Sequence, residues 1–200
     1  KKDTLKALAD MDKAIELDKH LSYAYAQRAI IKFQYGKDYQ SALDDMNQAL
    51  KLDPNMTSYY LNRGIIRYYM DDLRGTMDDY DRVIELDANN LMAHYNRGLL
   101  RMQVGERNKA IEDFSFVLKY EPDNFFAIYN RAILYDQLGN YRAAIRDYDK
   151  VLAHYPDFSS GYFARSEAKR KINDTAGGEK DYKKAIALYE QQKKTGVGLG

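Results

Sequence analysis

The 200-residue sequence contains no cysteine, no tryptophan and only three prolines. Without cysteine there is no disulfide and no thiolate metal ligand, whichever compartment the chain occupies. No run of about 18 apolar residues occurs, so no segment has the length and hydropathy of a membrane-spanning helix. The stretch KKDTLKALADMDKAIELD is polar and amphipathic and carries no secretory-leader pattern. A dominant charge sign is also missing. Lys and Arg number 31 against 30 Asp and Glu, a net charge of +1 that argues against a general binder of nucleic acid or membrane surfaces.

The signatures of catalysis are absent as well. The three histidines, at 20, 94 and 154, are scattered, with no His-Glu-x-x-His pair and no serine elbow. The tail KKTGVGLG (193–200) has neither the strand context nor the Gly-Lys-Ser/Thr ending of a phosphate loop. The acidic clusters DDM (44–46), DDL (71–73) and DDYD (78–81) lack calcium-loop spacing. Neither an enzyme nor a bound cofactor or metal is expected. What the chain does have is 45% hydrophobic and 30% charged residues, enough to bury a core. It also has 19 Tyr and 7 Phe, which must be packed or used.

The sequence repeats. QRA (27–29), NRG (62–64), NRG (96–98), NRA (130–132) and ARS (164–166) align on their arginines, at steps of 35, 34, 34 and 34 residues. Thirteen or fourteen residues later comes a small residue or Thr: Ala42, Thr76, Ala110, Ala144 and Gly178. A large residue follows four later (Met46, Tyr80, Phe114, Tyr148, Tyr182) and an apolar one three after that (Ala49, Val83, Val117, Val151, Ala185). All three prolines, Pro54, Pro122 and Pro156, share one slot. Each unit reads as two amphipathic helices. The first is expected to close near Gly36, Asp71, Gly105, Gly139 or Asn173, residues that tolerate left-handed backbone, and the proline ends the second.

This pattern resembles the tetratricopeptide repeat, a 34-residue helix–turn–helix with a small residue in its first helix, Ala and an aromatic in its second and a closing Pro. Residues 93–124, AHYNRGLLRMQVGERNKAIEDFSFVLKYEPDN, carry the match almost throughout. The resemblance implies an all-α, right-handed solenoid of stacked antiparallel helix pairs. The expected organisation is a half repeat at 1–21, repeats at 22–56, 57–90, 91–124, 125–158 and 159–192, and a flexible tail at 193–200. In the half repeat, Ala7, Met11 and Ala14 fill second-helix slots, so the sequence is expected to be a piece of a longer array.

The arginine is unusual for that family, where a Leu holds the slot of Arg28, Arg63, Arg97, Arg131 and Arg165. A charge in a packed slot needs a partner. Asp10, Asp45, Asp79, Asp113, Asp147 and Asp181 recur on the second helices. The spacing predicts a ladder of Arg–Asp pairs, within or between repeats; the alternative is that the arginines bind an anion.

The resemblance also implies that the first helices line a concave groove. On that face the residues expected to meet a peptide are Asn62, Asn96 and Asn130 with Tyr69, Tyr95, Tyr129, Gln103 and Gln137. Side-chain amides can hydrogen-bond an extended backbone without reading its side chains, and some tetratricopeptide superhelices have such an asparagine ladder. Tyr23, Gln27, Ile30, Ile65, Met92, Leu99, Phe126, Ile133, Phe163, Glu167 and Lys171 share the stripe. The family's clamp for a C-terminal carboxylate is not here: its slots hold Ala26, Ile30, Met92 and Asn96. Residues 159–200 are basic, with nine Lys and Arg against five Asp and Glu. The similar-period pentatricopeptide RNA binders lack the Asn-Arg-Gly and terminal Pro signals, so a nucleic-acid partner is not expected. The expectation is a non-catalytic scaffold for a protein or extended peptide. The alternatives are a self-associating array or an accessory region of a larger enzyme or secretion complex.

Overall fold

A computed structural model describes residues 2–195. Among them every regular element is a helix: α1 (Lys2–Leu17), α2 (Ser22–Ile31), α3 (Tyr39–Leu52), α4 (Thr57–Tyr69), α5 (Leu73–Leu86), α6 (Leu91–Gln103), α7 (Arg107–Tyr120), α8 (Phe125–Gln137), α9 (Tyr141–His154), α10 (Ser159–Lys171) and α11 (Thr175–Thr195). The chain forms two units, Lys1–Arg97 and Gly98–Gly200, with the boundary inside α6. In the first unit α2 packs on α3 and α4 on α5; in the second α8 packs on α9 and α10 on α11. This is the all-α architecture of consecutive helix pairs that the repeat implied.

Turn chemistry sets the helix ends. Asp71, Gly105, Gly139 and Asn173 adopt positive φ, between 62° and 84°, and close their first helices. In the first repeat the left-handed residue is Lys37, with φ 51°, rather than Gly36. The reason is the 35-residue step. The extra residue is absorbed in a π-helical turn, Lys32–Gly36, which displaces the turn by one. The carboxylates of Asp38, Asp72 and Asp174 and the amide oxygens of Asn90 and Asn124 accept from backbone N–H groups in the first turns that follow. The last helix departs from the pattern. The other second helices α3, α5, α7 and α9 have 14 residues, but α11 has 21. Glu190 stands in the slot of Pro54, Pro122 and Pro156, where nothing blocks a helix, and α11 runs on through residues 193–195; α5, with Ala88 in that slot, nevertheless ends at Leu86. The rest of the expected tail, 196–200, lies outside the described residues.

The repeated small residue marks where two helices close. A Cβ on Gly64 would stand 2.7 Å from the Tyr80 ring, and one on Gly98 3.0 Å from that of Phe114. Ala29, Ala132 and Ser166 fill the same slot fully buried. Ala42, Thr76, Ala110 and Ala144 are equally buried on the opposing helices, beneath Met46, Tyr80, Phe114 and Tyr148.

Beside that contact lies the Arg–Asp ladder. Arg28 meets Asp45 through two bonds of 2.8 and 2.6 Å. Arg63 meets Asp79, Arg131 meets Asp147 and Arg165 meets Asp181 with the same two-pronged geometry, at 2.6–3.1 Å. The pairs are therefore within repeats. A second cation, one turn on, joins most of them: Lys32 on Asp45, Arg67 on Asp79, Arg101 on Asp113 and Lys169 on Asp181. In the fourth repeat that position is Tyr135, whose ring lies 5.8 Å from the Arg131 guanidinium. The third arm of each arginine reaches back to the preceding second helix, to Asp12, Asn47, Asp81, Ser115 or Asp149, always 16 residues earlier. Sequence spacing pointed to the aspartate two residues before each of these. The carboxylates are almost wholly buried, Asp79 to 1% exposure. Burial pushes the Asp181 carboxyl up, but Arg165 and Lys169 outweigh it and hold it below the ordinary value. Its contribution to stability is thus complete above the ordinary carboxylate range and is lost as pH falls through the lower folded value.

Removing the carboxylate of Asp79 strands both Arg63 and Arg67, so Asp79→Ala is expected to cost about 3–5 kcal/mol. Asp12, with an exposed side chain, also pairs with Arg28, yet Asp12→Ala should cost about 1 kcal/mol or less. Urea unfolding followed by circular dichroism measures both; equal losses would show that the inner and outer arms of the arginine are equivalent.

Candidate peptide-binding surface

In the first unit, Asn62 lies half-buried on α4. It joins Ile30, Phe33 and Gln34 from the α2 side and Ile65 and Ile66 of its own helix around a small cleft of about 100 Å³. This brings together Ile30, Asn62 and Ile65, three residues of the sequence-derived stripe. One amide hydrogen of Asn62 is already committed, because Nδ2 donates to the Ser58 carbonyl at 2.8 Å. Tyr69 is 60% exposed at the far end of α4, edge-on to Phe33 at 5.1 Å and tilted against Tyr39 at 6.0 Å. It belongs to an aromatic cluster at the turn rather than to the Asn62 cleft. Tyr95 and Asn96 are half-buried on α6.

In the second unit, Asn130 and Tyr129 are half-buried on α8. Tyr129 stacks on Phe125 at 6.0 Å and meets Phe158 edge-on at 5.0 Å, so part of its ring belongs to the core. Burial raises its phenol pKa. The rest of the ring lines a cleft of about 370 Å³ with Phe163, Ser159, Ser160 and Ala164 of α10 and Ala185, Ile186 and Tyr189 of α11. Gln103 and Gln137 are exposed at the ends of α6 and α8. Gln137 Oε1 accepts from Arg107 Nε at 3.1 Å, which turns it toward α7 and away from Tyr129. Near Gln137, burial and the negative charge of Glu167 push the Asp136 carboxyl up, against the opposing effect of Lys171.

The α11 wall of this cleft is what sequence reasoning missed. Ile186 occupies the slot of Leu50 and Leu152, which are buried in their repeats, yet it is 40% exposed. Tyr189, 49% exposed, stands beyond the point where the other second helices stop. The longer helix folds against the α9–α10 turn: Gln192 Nε2 donates to the Asp157 carbonyl at 3.1 Å and Gln192 Oε1 accepts from Ser159 at 3.3 Å. Glu190 in the proline slot was only a partial signal, because Ala88 fills the same slot after α5, which stops at Leu86. The arrangement is apolar and aromatic with two serine hydroxyls, suited to holding an apolar side chain beside backbone amides. Among the described residues no group of three or more His, Asp or Glu could hold a metal ion. None of their helices is long and apolar enough to cross a membrane.

Residues 126–158, most of α8 and α9, match the Tetratricopeptide repeat family model. A search of curated proteins found no matching sequence. Among solved structures the chain is similar to a MamA protein, at TM-score 0.80 and 22% identity over 90% of this chain and 97% of that one. It is also similar to YrrB, described as a TPR protein with an unusual peptide-binding site, at TM-score 0.81 and 16% identity over 89% and 91%. A MamA fragment from Desulfovibrio magneticus RS-1 aligns at TM-score 0.79 and 18% identity over 86% and 96%.

Restoring the closing residue tests how the cleft wall is made. Glu190→Pro should end α11 near Tyr189 and release the Gln192 bonds to Ser159 and Asp157. Hydrogen exchange should then lose protection over the last turns of α11 and leave α8 and α9 unchanged. Protection lost from α8 as well would mean that the extension supports the core and does not merely line the cleft.

Proposed function

We propose that the chain is a tetratricopeptide-repeat protein, a non-catalytic scaffold that binds an extended peptide or a protein partner on the exposed face of its first helices. The observation that carries this reading is the cleft of about 370 Å³ between Tyr129, Phe163, Ile186 and Tyr189. Its volume falls in the range of ligand-binding clefts, and its lining suits one or two large apolar side chains. Four large apolar residues there, or on the same helix faces, are more than half exposed: Tyr23 and Met92 in the first unit at 58%, Tyr69 at 60% and Phe126 in the second at 63%. Exposed apolar surface of this kind marks interaction sites.

In this reading Asn62, Asn96 and Asn130 meet the peptide backbone, and Tyr69, Tyr95, Tyr129, Gln103 and Gln137 flank it. Asn62 keeps a hydrogen and an oxygen for that purpose beyond its bond to Ser58. A solved protein of the same fold, YrrB, is described as having a peptide-binding site.

Panning a library of short random peptides against the chain supplies the test. Selected peptides should share a large apolar anchor. Ile186→Glu, which puts a charge on an exposed position of the cleft wall, should weaken them by on the order of tenfold, about 1.4 kcal/mol. The triple change of Asn62, Asn96 and Asn130 to Ala should weaken them further. Unchanged affinity in the triple variant removes the amides from the site, and unchanged affinity in Ile186→Glu removes the cleft. A concentration-dependent oligomer in light scattering, with no peptide selected, would favour self-association.

A further inference from the structure

A second cleft, away from the first-helix face, sits at the turn between α8 and α9. It encloses about 550 Å³ and is lined by Gly139, Asn140, Tyr141, Arg142 and Arg146, with Ile172 and Asn173 from the next turn. Two features set it apart from the equivalent turns of the other repeats. The residue before each second helix is Asp38, Asp72, Glu106 and Asp174 elsewhere, but Asn140 here. The slot of Arg146 is Asp44, Asp78 and Glu112 in the three preceding repeats and Lys180 in the fifth, so only the fourth repeat combines a basic slot with a neutral Asn before its second helix. In the fourth repeat both acids are gone together.

The neighbours of Arg146 make the change sharper. Residues four apart on a helix lie side by side. In α3 the corresponding pair is Gln40 and Asp44, hydrogen-bonded at 3.0 Å. In α5 it is Arg74 and Asp78, and in α7 Asn108 and Glu112. In α9 it is Arg142 and Arg146, followed by Lys150, three cations on one helix face. The acids nearest in sequence, Asp147 and Asp149, are held by Arg131 at 2.8 Å and by Arg165 at 2.7 Å. Among the described residues neither Arg142 nor Arg146 has an ion-pair partner, and both are exposed. Like charges at this spacing oppose the helix that carries them. The α9 N-terminus adds to the positive field, since the Asn140 side chain makes no cap bond.

We propose that this cleft docks an acidic peptide segment of a protein partner, with the Arg142 and Arg146 guanidiniums taking its carboxylates. The planar forks of arginine suit carboxylates in paired hydrogen bonds. Tyr141 and Ile172 give the cleft an apolar wall for the peptide's side chains and aliphatic stems. A nucleic acid fits it less well. A polyphosphate carries a charge every few ångströms, whereas the cleft is short, its lining holds two cations, and the residue after Asn173 is the acid Asp174. This site is independent of the Tyr129 cleft and uses none of its residues.

The probe is a fluorescein-labelled decapeptide of alternating Asp and Glu, with the Asn and Gln decapeptide as its uncharged control, read by fluorescence anisotropy on the whole chain. The acidic peptide should bind and the control should not. Arg142→Gln with Arg146→Gln should weaken binding by on the order of tenfold or more. Lys183→Gln with Lys184→Gln, which removes as much charge from α11, should change it by less than about twofold. Equal losses in the two double variants would overturn the proposal in favour of diffuse charge attraction. So would absent binding, or tighter binding of a labelled oligothymidylate of the same length. Circular dichroism confirms that the variants, all at exposed positions, keep the fold.

Discussion

An arginine placed at a packed helix contact constrains the rest of this molecule. Arg28, Arg63, Arg131 and Arg165 each grip an aspartate of their own repeat with two nitrogens and reach the preceding second helix with the third. Three helices are thereby tied at one point. A buried ion pair of this kind adds little net stability over an apolar contact, but it tolerates no change of register, because a displaced arginine would leave a carboxylate unpaired in a dry site. The small residue beside it, Gly98 in α6 or Ala132 in α8, lets the helices close until the ion pair is made. Where the first repeat carries an extra residue, the backbone accommodates it as a π-helical turn and preserves the Arg28–Asp45 pair.

Much of this was legible in the amino-acid order, because burial imposes strict residue types. Only a small residue fits at Gly64 or Ala132, and only a carboxylate answers Arg63, so those slots repeat by identity. The third arm of each arginine was not legible. Its acceptors are Asp, Asn, Asp, Ser and Asp, chosen for an oxygen and not for a charge, so no single letter recurs. The π-turn had its signal in the 35-residue step. The left-handed residue moved to Lys37 because that step shifts everything after it by one.

The candidate site divides along the same line. The amides and tyrosines of the first-helix stripe could be placed by helical period, and the Ile30, Asn62 and Ile65 group comes together as that period implies. Gln137 and Tyr69 lie on the same stripe but are engaged with Arg107 and with the Phe33 cluster. The larger cleft needed tertiary information. Its α11 wall lies in turns that the missing proline permits but does not dictate, since α5 ends at Leu86 with Ala88 in that slot, and the extra turns are held by Gln192 against the neighbouring turn. Ile186 keeps the apolar type of its slot but leaves the core, whereas Arg146 changes the charge of a slot that is exposed in every repeat. In an array whose buried slots are so tightly specified, departures at exposed slots are where recognition can differ from one such protein to another.

The claim that the arginine–aspartate pair acts as one unit is tested most directly by a double-mutant cycle at Arg131 and Asp147, where Tyr135 takes the slot of the second cation and none of the described residues adds one to the aspartate. Urea unfolding of Arg131→Met, Asp147→Leu and the double variant gives the coupling. The account predicts that the double variant is far less damaged than the sum of the single ones, with a coupling of about 1–3 kcal/mol. Additive losses, agreeing to within about 0.5 kcal/mol, would contradict it and would leave the two residues as independent occupants of neighbouring slots.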